Sequence, residues 1–586
     1  MKRIISIALS AMIALTLLVL PASAAGYKAG EYEASAQGMM GPVKVKVSFT
    51  EDAIAAVEAV EQQETEAIAS PAIEGIPRQI VAGQTLAVDA VSGATVTSTA
   101  ILTAVEDCVL QAGGAPEALK LAAGPAQVEK KQENMTTDVL VVGGGIAGLS
   151  AAMSAADAGA KVLLIDKMPA LGGTTAISGG FLIAVDSETL KDSGKDDSLE
   201  RMLNWWDYVM NYNEEGESLY PDRERLIDVL KDTGKTVDYL AANGVVFSGA
   251  FEFGDYVCAA TEGRGSALVQ FMEKSCTDKG VTIVKNCKAN ALVQKDGQVV
   301  GVTAETEEAV ITIEAKAVVL ATGGLSQNAD MMAEYAPGLT YAVSQAAVSN
   351  TGDGIRMALE AGAELYPESW GALNGTAIAA AYAAQIGEDA KKLVPDAYLS
   401  VNAQGNRYAR EKGEFRAALA HDMLKDNQPP YFMILDASDA ALQTTLEAGL
   451  ALGETFKGTT VEELAQAIGA KPEDLAATVK QYNAYAAIGK DEAFGKEAEA
   501  LIALAAEGPY YAVKLYPTLF GSASGVVTDL QGRVLKADGG VIPGLYAAGE
   551  MSNRPFYRKN YVLAASLGLY ATMGLRAGAA AAEMLK

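Results

Sequence analysis

The sequence predicts an α/β protein organised on a Rossmann-like dinucleotide-binding unit, and three observations carry that prediction. Residues 138–142 and 161–165 are short, mostly apolar runs that read as strands buried on both faces. Between them Gly143, Gly145 and Gly148 form G-x-G-x-x-G and open a small-residue helix over 146–158. The second strand ends in an acid, Asp166, 21 residues after Gly145. Gly143 makes the tight turn, Gly145 lets the backbone approach a pyrophosphate, and Gly148 lets helix and strand pack closely. Ile146 and Ala147 begin the helix, whose free N–H groups face the phosphates. Asp166, followed by Lys167, is placed to accept hydrogen bonds from a ribose.

The chain has 586 residues, long for one core, so several domains are expected. Half of the residues are apolar, as in a globular protein. The formal charge of −27 argues against a nucleic-acid partner, which needs a basic footprint. His421 is the only histidine, and Cys108, Cys258, Cys276 and Cys287 have neither C-x-x-C nor C-x-x-C-H spacing. That pattern disfavours a metal centre, an iron–sulfur cluster and attached haem.

Taken in order, residues 1–24 read as a secretory signal. Lys2 and Arg3 precede an apolar run, and Ala22-Ser23-Ala24 offers a cleavage site. The expected location is therefore extracytoplasmic, at the cell surface, secreted or periplasmic, with a membrane tether if the signal stays uncleaved. Residues 25–112 mix alternation, clearest in VKVKVSF over 43–49, with short helices. Within them DAVSGATVTS, residues 89–98, crowds hydroxyls around Gly93 in a turn before a helix. Residues 113–135 read as a linker rich in Ala, Gly, Lys and Gln.

Beyond the dinucleotide fingerprint, residues 169–184 are dense in glycine and small hydroxyls, including Gly172, Gly173, Thr174, Gly179 and Gly180. Such a loop can lie against a flat cofactor. A further apolar strand ends in Ala321, Thr322, Gly323 and Gly324. NTGDG opens a helix at Asp353, and GLYAAGE ends in Gly549 and Glu550. A small-residue helix over 564–584 closes the chain. Between these, Thr459 reads as the cap of a helix with Glu462 as its box partner, and Pro472 fits the first turn of the next.

These stretches resemble the flavoprotein family of fumarate reductase and succinate dehydrogenase, including an exported urocanate-reductase-like branch. The resemblance covers residues 136–586. It implies non-covalent FAD on a Rossmann-like domain made of 136–375 and 506–586, with an inserted α+β capping domain over 376–505. The N-terminal segment resembles an FMN-binding domain of α+β type. Asp89, Ser92, Gly93, Ala94 and Thr95 match its D-x-x-S/T-G-A-T motif, which implies FMN joined through its phosphate to Thr95 by a flavin transferase. Covalent FMN in an exported chain implies relay of electrons from a membrane or extracellular donor.

The family reduces an activated C=C bond with hydride from flavin N5 and a proton from a capping-domain arginine. Here Arg407, Tyr408 and Glu411 partly match the family segment, and Arg416 falls one residue late for the acid. The histidines that clamp carboxylates in the family are absent from PTLFGSASG, residues 517–525, and Tyr561 stands where the family has a substrate-binding arginine. That departure points away from fumarate, to a larger or more apolar unsaturated acid, enone or phenylpropenoid. Arg558, Tyr561 and Tyr516 are the further candidates for contacting substrate, with Tyr561 an alternative proton donor. Arg558 and Tyr561 make, with Arg554, Tyr557 and Lys559, a basic-aromatic cluster soon after Glu550, and the resemblance puts Trp370 and Tyr366 near where other family substrate residues cluster. Two other functions stay open: a dehydrogenase or oxidase running the opposite way, as ketosteroid dehydrogenases do with tyrosines, and a redox-linked binding protein.

Overall fold

The computed structural model describes residues 26–586 except 40, 65, 89, 92–93, 122–129, 213, 215, 414–415 and 437–439. The expected signal at 1–24 lies outside the described residues, as do Asp89, Ser92, Gly93 and Glu414. Contacts divide the chain into two units, Met1–Val128 and Glu129–Lys586.

In the first unit, period-two alternation produces an antiparallel meander. Its strands are β1 (Gly30–Gln37), β2 (Pro42–Phe49) and β3 (Ile54–Glu61). Val43, Val45 and Val47 are fully buried while the intervening lysines reach solvent, as the pleat dictates. Helices α1 (Glu66–Gly83) and α2 (Thr95–Gln111) cover the dry face with Ile76, Ile80, Ile101 and Val105. The expected linker is shorter than 113–135. Pro116–Leu121 forms a third helix, α3, started by proline, and its Leu119 carbonyl accepts from Leu86 N–H at 3.1 Å.

The second unit opens with β4 (Lys131–Val142), α4 (Ile146–Asp157) and β5 (Val162–Ile165). Next come β6 (Phe181–Ile183), α5 (Leu199–Asn211), α6 (Arg223–Ala242), the hairpin β7 (Phe247–Phe253) and β8 (Tyr256–Thr261), and α7 (Arg264–Asp278). Strand β9 (Thr282–Val284) precedes the meander β10 (Lys288–Lys295), β11 (Gln298–Glu305) and β12 (Ala309–Leu320). β4 begins seven residues before the apolar run because its polar half, from Lys131, pairs with β12 from Ala309.

Then follow α8 (Ala329–Tyr335), β13 (Val343–Ser344), α9 (Asp353–Glu360), β14 (Trp370–Ala377), α10 (Ala380–Ile386), β15 (Leu399–Val401) and α11 (Ala418–Asp426). β16 (Tyr431–Asp436), α12 (Ala440–Ala448), β17 (Thr455–Gly458), α13 (Val461–Ile468) and α14 (Pro472–Ile488) lead to β18 (Tyr510–Ala523). The chain ends with β19 (Arg533–Leu535), β20 (Val541–Ala547) and α15 (Ser566–Glu583). The cap of α13 is Thr460, one residue later than expected. Its hydroxyl accepts from Glu463 N–H at 3.2 Å, and Glu463 accepts from Thr459 N–H at 2.8 Å. Tandem threonines and tandem glutamates make that register ambiguous in sequence.

Two sheets position the site. In the larger, β9, β5, β4, β12 and the end of β20 run parallel, so their carboxyl ends share one edge. The second is strung on β18. Its first half pairs with β16 and β17, and its second half with β13 and β14. β18 thus joins β15, β16 and β17 to β13 and β14 in one sheet. Helix α15 lies against α4 at very close range. A Cβ on Gly574 would stand 2.1 Å from the Ala147 carbonyl oxygen, and one on Gly578 would stand 2.1 Å from that of Ala151.

Candidate active site

The residues that follow Val142, Ile165, Leu320 and Ala547 at the carboxyl ends of β4, β5, β12 and β20 all line one cavity of about 560 Å³. Ligands of parallel α/β sheets bind at that edge. Gly143 has φ +105°, and a Cβ there would stand 2.4 Å from the Ala321 carbonyl oxygen. Gly148 does not line the cavity. It is the packing glycine, since a Cβ would stand 1.8 Å from the Gly143 carbonyl oxygen. Gly145 and Ile146 line the cavity, and a Cβ on Gly145 would meet nothing nearer than the Gly172 carbonyl oxygen at 3.7 Å.

Asp166 lines the cavity and also holds its floor. One carboxylate oxygen accepts from Gly144 N–H at 2.7 Å and the other from Met168 N–H at 2.8 Å. Burial pushes this carboxyl above its usual range against the pull of those two bonds. Each oxygen keeps a lone pair for a ribose hydroxyl. Lys167 donates to Asp353 and to Thr351, each at 2.6 Å, tying β5 to the start of α9. Burial raises the Asp353 carboxyl, but the Lys167 ammonium outweighs it and leaves the group below the usual range.

Gly172, Gly173, Thr174, Gly179, Gly180, Ala147, Ala321, Thr322, Gly323, Gly549 and Glu550 also line the cavity. Gly324 stands behind it, where a Cβ would fall 2.1 Å from a Glu550 carboxylate oxygen. Glu550 is buried. It accepts from Ser522 N–H at 2.7 Å and from Asn350 Nδ2 at 2.9 Å, and burial raises its carboxyl.

The loop and the start of α4 fit FAD. Ile146 N–H donates to Thr175 Oγ1 at 3.1 Å, whereas the Ala147 and Gly148 N–H groups have no acceptor among the described residues. Open N–H groups at a helix start, beside a glycine with free space, suit a pyrophosphate. In the first unit Thr95 is the first residue of α2, which has no side-chain cap. The Ser98 hydroxyl accepts from Val91 N–H at 3.0 Å and donates to the Ala94 carbonyl at 2.8 Å, pinning the turn. An uncapped helix start fits the phosphate of FMN. Among the described residues no group of histidine, cysteine, aspartate and glutamate is arranged to hold a metal ion.

Of the catalytic candidates, Arg416 and Tyr561 line the cavity. Arg416 is exposed and makes no hydrogen bond or ion pair among the described residues. Tyr561 is buried, with its hydroxyl 2.9 Å from Ser566 Oγ, and burial pushes the phenol up to about 12. Ser566 also meets the Tyr557 hydroxyl at 3.3 Å.

Arg558 and Tyr516, expected to contact substrate, do not line the cavity. Arg558 turns to α5 and the loop after it, donating to Asn211 at 3.3 Å and the Gly216 carbonyl at 3.0 Å, while Tyr561 on the same loop faces inward. Tyr516 lies four residues before cavity-lining Phe520, roughly 13 Å along an extended strand. It stacks on Tyr341 at 5.1 Å and donates to Glu454 at 3.1 Å.

The basic-aromatic cluster is a staple. Burial lowers Arg554 to about 10, and it covers the Tyr220 ring at 3.9 Å. Trp370 donates to the Lys559 carbonyl at 2.9 Å, and Tyr366 to that of Thr528 at 3.4 Å. His421 meets Glu214 at 2.9 Å, outside the cavity lining. Arg407 and Glu411 form a buried ion pair at 2.8 Å.

Sequence reasoning missed Thr175, Asn350, Ser522, Ser566 and Tyr570, and the phenylalanines Phe181, Phe253 and Phe520. Several sit inside stretches already marked by glycines, so adjacency was a usable signal. Phe253 had none, because only the β7–β8 hairpin brings it there.

Two family models match the chain: FAD binding domain over residues 138–561 and FMN-binding domain over residues 38–110. The chain is 32% identical over 556 residues to the urocanate reductase of Eggerthella lenta, covering 91% of this chain and 89% of that one. It is 30% identical over 606 residues to the NADH:acrylate oxidoreductase of Vibrio harveyi, covering 90% of this chain but 58% of the relative. Among solved structures, the open conformation of a flavocytochrome c3 fumarate reductase matches with TM-score 0.59 and 29% identity, over 77% of this chain and 78% of that one.

Proposed function

The chain belongs to the FAD-binding-domain flavoproteins of the fumarate-reductase, succinate-dehydrogenase and urocanate-reductase superfamily, with an FMN-binding domain at its N-terminus, and from that premise we propose that it reduces the activated C=C bond of an α,β-unsaturated acid or related enone. It is an FAD/FMN-binding oxidoreductase. The observation that carries the proposal is that an unpaired arginine and a buried phenol share one cavity with the phosphate-binding glycine loop. FAD, held by the β4–α4 loop, Asp166, the 172–180 loop and the 549–550 turn, would supply hydride to one carbon of the bond.

This chain's residues do the rest. Arg416 gives a proton to the other carbon, in keeping with its place in the cavity. Tyr561 keeps its proton throughout the assay range and donates a hydrogen bond to the developing charge on substrate. Phe520, Leu563 and Leu567 exclude water from the reacting end. The inserted segment 376–505 is the cap over that end. FMN esterified at Thr95 by a flavin transferase would supply one-electron chemistry suited to a membrane or extracellular donor. The segment 1–24 reads as the export signal that such a location requires.

A second reading is a dehydrogenase or oxidase of saturated substrates, favoured by Tyr561 with its raised phenol. Anaerobic holoenzyme reduced with viologen and mixed rapidly with unsaturated acids, enones and arylpropenoids decides between them. Flavin reoxidation by at least one of these, faster than by its saturated counterpart, is expected. Turnover confined to saturated compounds with a dye acceptor would establish the opposite direction.

A further inference from the structure

Strand β14 meets β18 with a fault in its ladder. Leu373 pairs with Leu519 and Gly375 with Thr518, so Asn374 is an extra residue between two adjacent partners. Such bulges re-aim a side chain and gather beside active sites. Here the Asn374 amide reaches Gln345, whose Oε1 accepts from Asn374 Nδ2 at 2.5 Å. Asn374 is buried, whereas Gln345 is exposed and lines the cavity. The backbone of Gln345 is fixed as well. β13 pairs with β18 as far as Ser344, and Gln345 N–H donates to the Leu519 carbonyl at 2.7 Å. The next residue of β14 lies against Arg416. A Cβ on Gly375 would stand 3.4 Å from Arg416 Cγ and 3.7 Å from its Nε. Consecutive residues of one strand therefore hold Gln345 and make room for Arg416, and both of these side chains line the cavity.

Which end of the Gln345 amide faces the cavity follows from its buried partner. With Asn374 Nδ2 donating, the Asn374 atom left without a partner among the described residues is Oδ1. Turning both amides over would instead bury an NH2 group without an acceptor, which costs more. Gln345 Oε1 is thereby used, and the N–H groups of its Nε2 have no acceptor among the described residues. An uncharged donor of that kind pairs with a carbonyl oxygen whether the group is ionised or not. It acts most strongly where negative charge grows on that oxygen as hydride reaches the far carbon of a conjugated double bond.

Resting on the reading of the cavity as a C=C reductase site, we propose that Gln345 is a substrate-binding residue that donates from Nε2 to the carbonyl oxygen conjugated to the double bond, and that Asn374 is the positioning residue that turns this donor inward.

The test is isothermal titration of oxidised, flavin-replete protein with but-2-enoate and with cyclohex-2-enone. Binding of only one of them by the wild type shows whether an acid or an enone carries the oxygen. Gln345→Glu keeps an acceptor for Asn374 and replaces the inward N–H groups by a carboxylate oxygen. It should weaken but-2-enoate by about 30-fold or more, since a donor to a charged group is lost, and cyclohex-2-enone by about three- to tenfold. Asn374→Asp should act through Gln345. Its carboxylate accepts from Nε2, turns the amide over and presents Oε1, so binding should fall about tenfold. Joined to Gln345→Met it should add nothing to the loss in Gln345→Met alone, whereas a merely structural role would add its cost in full. Wild-type affinity in Gln345→Glu, or no binding of either compound by the wild type, overturns the donor. Wild-type affinity in Asn374→Asp, or full additivity, overturns the positioning role. If Gln345→Glu does not fold, Gln345→Met, with an expected loss of about tenfold, decides. Weakened binding in the variants, without reoxidation of reduced wild-type enzyme by either compound, supports the donor and sinks the reductase reading instead.

Discussion

Arg416 and Tyr561 differ in how freely each can act. The guanidinium is exposed to the cavity without a partner among the described residues, whereas the phenol is buried and bonded to Ser566. Arg416→Ala is expected to lower reduction of the unsaturated acceptor by ~10²–10⁴ and to leave flavin reduction by artificial donors near wild type. Tyr561→Phe is expected to cost about tenfold or less, with no loss of an alkaline limb, because the phenol stays protonated up to about pH 12. Rapid-mixing reoxidation of each variant checks both, and the reverse ranking would move the proton to the tyrosine. At Gly145 the space beyond a Cβ is open to the cavity. Gly145→Val should therefore fold, yet elute without bound FAD. A full complement of FAD in the purified variant would falsify the phosphate-loop assignment.

At the scale of elements, the glycine loop depends on a helix more than 400 residues away. Gly574 and Gly578 on α15 admit the backbone of α4, so α15 sets where α4 points its N-terminus. Gly574→Ala puts a methyl against the Ala147 carbonyl and is expected to cost about 1–3 kcal/mol and weaken FAD retention. Thermal denaturation and flavin content measure the two effects. Between β15 and α11, Arg407 bridges Glu411 and Asp491, each at 2.8 Å, and all three side chains are buried. Burial raises the Asp491 carboxyl, but Arg407 outweighs it and the net shift is downward. Its stabilisation is therefore complete above the unfolded value near pH 4 and is lost as pH falls through the lower folded value. Asp491→Asn leaves Arg407 underpaired and should cost about 3–5 kcal/mol at pH 7. Melting curves should show the gap to wild type closing as pH falls below the unfolded value near 4.

At the scale of the whole molecule, two units with separate cores fit two flavins. The expected division of labour is electron entry in the first unit and substrate chemistry in the second. Thr95→Ala should lose the mass of one FMN from the intact protein while keeping FAD. It should still reduce substrate with reduced viologen and lose turnover driven by the external donor. Retention of the FMN mass would remove Thr95 as the attachment point.

What the sequence by itself determined is the part whose chemistry is local. A strand, a glycine turn and a helix start are contiguous, so Gly143, Gly145 and Asp166 were legible from spacing alone, as was the alternating dry face of β2. The family resemblance likewise rested on such contiguous stretches. The aromatic end of the cavity is assembled from β6, the β7–β8 hairpin, β18 and the loop before α15, and no single stretch contains it. Only the tertiary structure could separate Tyr561 from Arg558 three residues earlier, or Phe520 from Tyr516. Which way a side chain turns in an irregular loop, and how far along a strand it sits, depends on partners distant in sequence. The same holds for Phe253, whose place in the lining arises because hydrogen bonding between β7 and β8, and from Tyr256 to Leu563, carries its ring to a cavity begun by β4 more than a hundred residues before.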